Sequence, residues 1–118
     1  MFIKMCDANH QVIFEGFCSV VADQPLTLSY SDLERKVNLC FKLDGAIISH
    51  ESEGVVSKTV INVYGASSII LITAFGEKSF GVDNVDYTYS DNLVILGYRL
   101  YDEGSLVGSY KFYFEMRD

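Results

Sequence analysis

Three successive stretches between residues 85 and 116 alternate apolar with polar side chains, and this pattern constrains the fold more than any other feature of the chain. In the last stretch, the aromatic residues Tyr110, Phe112 and Phe114 are separated by Lys111 and Tyr113. A period of two is typical of a β-strand with one buried face. The two preceding stretches place the following residues on one side: Val85, Tyr87, Tyr89, Val94, Leu96, Tyr98 and Leu100. The pattern predicts a C-terminal three-stranded meander.

The same alternation recurs earlier in the chain. Val37, Leu39 and Phe41 are separated by single residues, as are Ile3 and Met5. Strands at intervals of roughly 8 to 12 residues, without a long helical pattern, are typical of all-β folds. We therefore predict an antiparallel β-sandwich of about eight or nine short strands, with a closed β-barrel as the alternative. The length of 118 residues predicts a single domain over residues 1 to 118.

Turn residues between these stretches predict how the strands connect. Two-residue turns are expected at Asn9-His10 and at Asp91-Asn92, because these lengths keep the apolar faces of the flanking strands in phase. A three-residue turn is expected over residues 102 to 104, where Gly104 tolerates a positive φ. Pairing Tyr101 with Ser105 then places Leu96 opposite Tyr110. Residues 76 to 81 are expected to form a loop.

The charge balance argues against one large class of functions. The chain has 9 Lys and Arg residues against 16 Asp and Glu residues, for a formal net charge of −7. Proteins that bind nucleic acid need clustered basic residues that replace the counterions of the phosphates. The basic residues here never cluster beyond the pair Arg35 and Lys36. We therefore expect no direct binding to nucleic acid.

The cysteines and the amino terminus indicate the compartment. Cys6, Cys18 and Cys40 are odd in number and widely spaced, which argues against a disulfide framework. The first residues lack the basic start and apolar core of a secretory signal, and no apolar run approaches the ~20 residues needed to cross a bilayer. We expect a cytoplasmic protein with free thiols and no membrane association.

No motif in the sequence indicates catalysis or a bound cofactor. His10 and His50 are the only histidines, and neither lies in a family signature for nucleophilic catalysis or in metal-ligand spacing. His10 is interpreted as a turn residue and His50 as a solvated loop residue beside Glu51. Carboxylates near strand ends could attract calcium, but turn chemistry and solubility explain them more simply. We expect a protein that is not an enzyme and has no metal or cofactor.

The second face of the C-terminal meander carries the candidate binding site. Exposed Tyr and Arg side chains anchor many protein interfaces, and the acidic turns of the same strands add charge. Ile95 and Val107 share this face, which favours the alternative interpretation that other strands of the same domain cover it. The candidate partner-binding residues are Asp91, Arg99, Tyr101, Asp102, Glu103 and Tyr113.

These observations favour a non-catalytic, protein-binding domain. Its acidic surface suits an inhibitor or immunity-type protein, encoded by a phage or mobile element, that masks a basic surface of a target such as a nucleic-acid-binding protein. One alternative is a β-barrel that binds a small apolar ligand, which an internal cavity would favour. Another is a structural subunit or homodimer that assembles edge to edge, through the C-terminal strand if that strand lies at a sheet edge.

Overall fold

A computed structural model describes residues 1–32 and 34–118 of the chain. All regular elements of these residues are β-strands, and none of their segments forms a helix long and apolar enough to cross a bilayer. The strands are β1 (Phe2–Cys6), β2 (Val12–Phe17), β3 (Ser19–Asp23), β4 (Leu26–Ser31), β5 (Lys36–Lys42), β6 (Gly45–Ser52), β7 (Val55–Asn62), β8 (Ser68–Thr73), β9 (Gly76–Ser90), β10 (Leu93–Asp102) and β11 (Ser105–Arg117).

The strands form one antiparallel sheet. Their order is β2-β1-β11-β10-β9-β8-β7-β6-β5-β4-β3, so nearly every strand pairs with its neighbour in the chain. The antiparallel all-β prediction is confirmed, and so is the C-terminal meander of β9, β10 and β11. The described residues contain eleven strands, more than the eight or nine expected.

The sheet curves until its two edges approach each other. β2 and β3 are the edge strands, yet only Cys18 separates them in the chain. The Cys18 amide donates a hydrogen bond of 2.7 Å to the carbonyl of Met1 at this corner. The segment from residue 12 to 23 therefore runs along both edges of the sheet and rolls it into a nearly closed barrel. The barrel alternative of the sequence prediction also fits this architecture.

The inward faces of the opposite walls meet in an aromatic and aliphatic core. Phe41 on β5 and Phe114 on β11 are almost fully buried, with ring centroids 5.1 Å apart. The Tyr87 hydroxyl donates a hydrogen bond of 2.6 Å to the carbonyl of Lys42, which also joins the two walls. Each large apolar side chain that is removed from water contributes roughly 1.5 to 3 kcal/mol. The alternation in the sequence thus fixes which face of each strand lies inside.

The predicted register between β9 and β10 is correct from the turn to the pair Gly97–Asp86, beyond which a bulge shifts it by one residue. The register between β10 and β11 also differs from the prediction. Tyr89 lies opposite Val94, as expected. Leu96, however, lies opposite Phe112 instead of Tyr110. The turn has two residues, Glu103-Gly104, with φ angles of 50° and 83°. Together with a bulge in β11 after Leu106, it shifts the pairing by two residues. Beyond the bulge, a shift of two leaves the side chains on their predicted faces. Leu106, before the bulge, lies opposite Tyr101 on the outer face, although the predicted pairing placed it with Leu100 on the inner face.

Two other local predictions are wrong. The first hairpin does not turn through Asn9-His10 alone. The Asp7 amide donates a hydrogen bond to the Gln11 carbonyl. The loop between these residues ends at His10, whose φ is 61°. Residues 76 to 81 are not a loop but the start of β9, where Phe80 lies opposite Ile69 of β8.

The C-terminal strand lies inside the sheet. β11 pairs with β10 on one side and with β1 on the other. Only residues 113 to 117 pair with β1, however, so the backbone of residues 105 to 112 is paired on the β10 side alone. This part of β11 keeps the unpaired side that edge-to-edge assembly through the strand would need. The strands at the edges are β2 and β3.

Candidate functional site

No other described strand covers the outer side of β9, β10 and β11, although Ala8 and His10 of the β1–β2 loop reach it. All described strands belong to one sheet that curves around the core, so none of them packs against its outer side. Arg99 and Tyr101 lie there and are half-exposed. The alternative interpretation, in which other strands cover this face, is wrong for the described residues. Polar and aromatic side chains of the face are therefore available to other molecules.

Arg99 forms the best-defined charged contact on this surface. It lies directly opposite Asp83 on β9, and its Nε and one terminal nitrogen donate hydrogen bonds of 2.9 and 3.2 Å to the two carboxylate oxygens. These hydrogen bonds, and then the charge of Asp83, raise the pKa of Arg99. The guanidinium also lies 5.9 Å from the ring centroid of Tyr101. Asp83 thus orients the guanidinium of Arg99, which lies close to the ring of Tyr101.

Tyr113 is the centre of a second group on the same surface. Its ring lies 4.8 Å from the ring of His10, and the Lys111 ammonium is 5.4 Å from its centroid. His10 is a turn residue, as predicted. Tyr113 lies opposite Ile95 on β10. Both candidate tyrosines, Tyr101 and Tyr113, therefore have a cation near the ring. The positive charge is attracted to the electron-rich face of the ring.

A depression separates the two groups. Its floor is Gly97, which lies directly opposite Asp86 on β9 and Lys111 on β11. Because Gly97 has no side chain, a space of about 310 Å³ remains between these charged neighbours. Arg99 and Ser109 line the space further along the strands. We call the surface formed by Gly97, Arg99, Tyr101, Lys111 and Tyr113 the meander face.

The acidic candidates do not gather on the meander face. Asp91 lies in the β9–β10 turn, at the opposite end of β10 from Glu103. Asp102 continues the inward-facing side of β10, and the Lys78 ammonium is 3.0 Å from its Oδ2. The other carboxylate oxygen of Asp102 is buried and has no hydrogen-bond partner among the described residues. Glu103 is exposed in the β10–β11 turn, two residues after Tyr101.

Sequence reasoning missed several members of this surface. Strand parity alone places Lys111 with Tyr113, so that contact was accessible from the sequence. The role of Gly97 could not be predicted from the sequence, because a glycine in an alternating strand gives no indication of a surface depression. The contact of His10 with Tyr113 joins residues that are far apart in the chain and depends on the pairing of β1 with β11.

The interior of the barrel contains a second space that the sequence did not indicate. His50, interpreted as a solvated loop residue, lies instead in β6, directly opposite Ser57 of β7. Its side chain is half-buried and lines a cavity of about 220 Å³. Side chains of β10 and β11 form the other wall of the cavity, among them Tyr98 and Phe112.

In residues 1–32 and 34–118, no three His, Cys, Asp or Glu side chains are grouped as ligands for a metal ion. Comparison of the chain with protein-family models, with curated proteins and with solved structures gave no match.

Proposed function

We propose that the protein is a non-catalytic domain that binds another protein through the meander face, in the manner of an acidic inhibitor or immunity-type protein. The observation that carries this proposal is the depression over Gly97, which Lys111 flanks, with Arg99 and Tyr101 toward one end and Tyr113 toward the other. Tyrosine and arginine are enriched among the residues that dominate binding energy at protein interfaces.

The geometry of the face suits the insertion of a side chain from a partner. A side chain that enters the depression lies above the buried Gly97, between Asp86 and Lys111. Contacts with Arg99 and Lys111 restrict Tyr101 and Tyr113 before binding, so less side-chain entropy is lost in the complex. A partner residue with an apolar stem and a charged end fits both features of the space.

The net charge of −7 favours a basic partner. A negative surface accelerates the encounter with a positive one and disfavours acidic partners. A target that itself binds nucleic acid has the required basic surface. The proposed setting is an inhibitor that a phage or mobile element encodes and that acts in the cytoplasm of the host.

Affinity capture from native lysate tests the proposal when it is performed with three forms of the protein. Gly97→Leu fills the depression. Ser49→Leu introduces the same side chain on the outer side of β6, and serves as the matched control. We expect a basic protein to be captured by the wild type and by Ser49→Leu, with at least tenfold less retained by Gly97→Leu.

Salt provides the second part of the test. Raising the ionic strength from about 0.1 M to 1 M shortens the Debye length from roughly 10 to 3 Å, so charge-driven capture should weaken. Tyr113→Ala should weaken the purified complex by about fivefold or more, as expected for an anchoring residue. Equal capture by Gly97→Leu and wild type, or retention that does not change with salt, would contradict the proposal.

A further inference from the structure

We infer that the interior of the barrel binds a small molecule with a single aromatic ring and one uncharged hydrogen-bonding group, a phenol in chemical class. This inference goes beyond the proposed protein interface and does not depend on it, because the cavity faces inward and the meander face outward. Four features of the cavity carry it: a polar wall, an aromatic wall, a limited volume and the absence of charged lining residues.

One wall of the cavity is polar. Strands β6 and β7 contribute two directly opposite pairs, His50 with Ser57 and Ile48 with Thr59. The imidazole and the two hydroxyl groups thus lie within one block of four side chains. None of these three polar side chains has a hydrogen-bond partner among the described residues. Their polar atoms remain accessible to solvent, and a ligand with one donor and acceptor group can form hydrogen bonds with them.

The opposite wall is aromatic. Leu96 of β10 lies directly opposite Phe112 of β11, and Tyr98 and Phe114 continue the same inward faces. The rings of Tyr98 and Phe112 are 6.3 Å apart with an interplanar angle of 38°. Both side chains remain half-exposed although they face inward. Removing such apolar surface from water is favourable, so a flat apolar ring is favoured against this wall.

The volume selects the size of the ligand. An apolar cavity of roughly 150 Å³ is sufficient for benzene, whereas sites for drug-sized molecules begin at about 300 Å³. The cavity between His50 and Phe112 measures about 220 Å³. It therefore accommodates one ring with a small substituent.

The lining also selects the charge of the ligand. The cavity is lined by Met5, Ile48, His50, Ser57, Thr59, Leu96, Tyr98, Phe112 and Phe114, none of which is Lys, Arg, Asp or Glu. An ion that enters such a site loses its hydration without a fixed counter-charge. Burial, with a smaller effect of Tyr110, raises the pKa of Tyr98 to about 12, so its hydroxyl is neutral at physiological pH. A neutral hydroxyl on the ligand fits this environment better than a carboxylate.

Titration of the full chain with p-cresol, toluene and benzoate at pH 8 tests the inference by calorimetry and NMR. Toluene has the shape of p-cresol without the hydroxyl, and benzoate carries a charge. A net gain from one hydrogen bond corresponds to a dissociation constant that is roughly two- to tenfold lower for p-cresol than for toluene. Benzoate is expected to bind at least tenfold more weakly than p-cresol.

A matched pair of variants locates the site. Ser57→Leu fills the cavity from β7, whereas Ser49→Leu places the same side chain on the outer side of the neighbouring strand β6. Ser57→Leu should weaken p-cresol binding at least tenfold, and Ser49→Leu should leave it within twofold of the wild type. Equal affinity of Ser57→Leu and wild type for p-cresol overturns the inference.

The wild type alone provides a test that does not require Ser57→Leu to fold. On addition of p-cresol, the NMR signals of the His50 and Tyr98 rings should shift with one common dissociation constant, while those of Phe41, deep in the core, should not. Unchanged His50 and Tyr98 signals up to the solubility limit of p-cresol overturn the inference. If toluene binds as tightly as p-cresol or more tightly, the polar wall does not bind the ligand hydroxyl, and the inference is overturned.

Discussion

Phe14 and Tyr30 are stacked with their ring centroids 3.8 Å apart and their planes within 9° of each other. Phe14 belongs to β2 and Tyr30 to β4, which are not neighbours in the sheet. The stack therefore joins the wall that ends with β2 to the wall that ends with β3 and β4, where no ladder of backbone hydrogen bonds connects them. Burial of Tyr30 at this contact raises the pKa of its hydroxyl. Closure of the barrel depends here on side chains.

Replacement of Phe14 by Ala should open this contact. Removal of a core phenylalanine costs roughly 3 to 5 kcal/mol, and we expect about 3 kcal/mol for Phe14→Ala because Phe14 is only half-buried. Ile13→Ala is the matched control, since the adjacent side chain is 43% exposed. It should cost less than about 1 kcal/mol. Urea denaturation of the three proteins measures the difference, and similar losses in both variants would contradict a role of the stack in closure.

Two glycines of the sheet should respond in opposite ways to a methyl group. A Cβ at Gly45 would overlap the carbonyl oxygen of Ile61 on the paired strand β7, whereas a Cβ at Gly97 would meet its nearest atom, the carbonyl oxygen of Tyr110, at 3.5 Å. Gly45→Ala should therefore lower the free energy of unfolding by roughly 1 to 3 kcal/mol. Gly97→Ala should leave it equal or raise it by about 0.5 kcal/mol, because glycine weakens a strand interior. Thermal and urea denaturation measure both effects, and a Gly45→Ala variant as stable as Gly97→Ala would contradict the close approach.

Local alternation predicted the meander because each of its strands has one buried face, and the register error between β10 and β11 preserved parity beyond the bulge after Leu106. The start of β9 was not predicted, because its polar residues have no local reason to lie in a strand. The partner of Lys78 is Asp102, on a strand that follows much later in the chain. His50 was assigned to a loop because polar side chains usually lie outside. The cavity in the barrel interior provides an inward position that tolerates the imidazole.

The choice between sandwich and barrel was also outside the reach of the sequence. It depends on the path of the chain at Cys18. Before this residue β2 pairs with β1, and after it β3 pairs with β4. Neither the hydrophobic period nor the turn residues contain this information. The contact of Phe14 with Tyr30 that accompanies the closure joins two strands that do not pair. Packing of side chains between strands that do not pair produces no periodic pattern in the sequence.

The three cysteines should differ in reactivity. Cys40 is half-buried on the outer side of β5, whereas Cys6 and Cys18 are buried. Burial raises the pKa of the Cys18 thiol, an effect that the nearby amino terminus partly offsets, and so lowers its thiolate fraction. A thiol reagent such as Ellman's reagent should modify one thiol rapidly in the native protein and all three in urea. Cys40→Ser should abolish the rapid phase, and a rapid phase that persists in this variant would contradict the assignment.

Alkaline pH should destabilise the protein through its buried tyrosines. Burial is the largest cause that raises the pKa values of Tyr30, Tyr87 and Tyr98, and that of Tyr98 reaches about 12. Since the pKa of an unfolded tyrosine is about 10, these groups hold their protons in the folded state at pH values where the unfolded chain releases them. Their contribution to the free energy of unfolding is therefore complete below about pH 10 and is lost as the pH rises through the pKa values of the folded state.

Urea denaturation between pH 9 and pH 12 measures this dependence. Each tyrosine that is protonated only in the folded state adds up to about 1.4 kcal/mol per pH unit to the decline in the free energy of unfolding. Tyr98→Phe should make the decline shallower by one such contribution. Tyr64→Phe, a change at a side chain that is 91% exposed, should leave the slope unchanged. Equal slopes for Tyr98→Phe and wild type would mean that the Tyr98 hydroxyl is as well solvated in the folded protein as in the unfolded chain, which is incompatible with its place in the wall of the cavity.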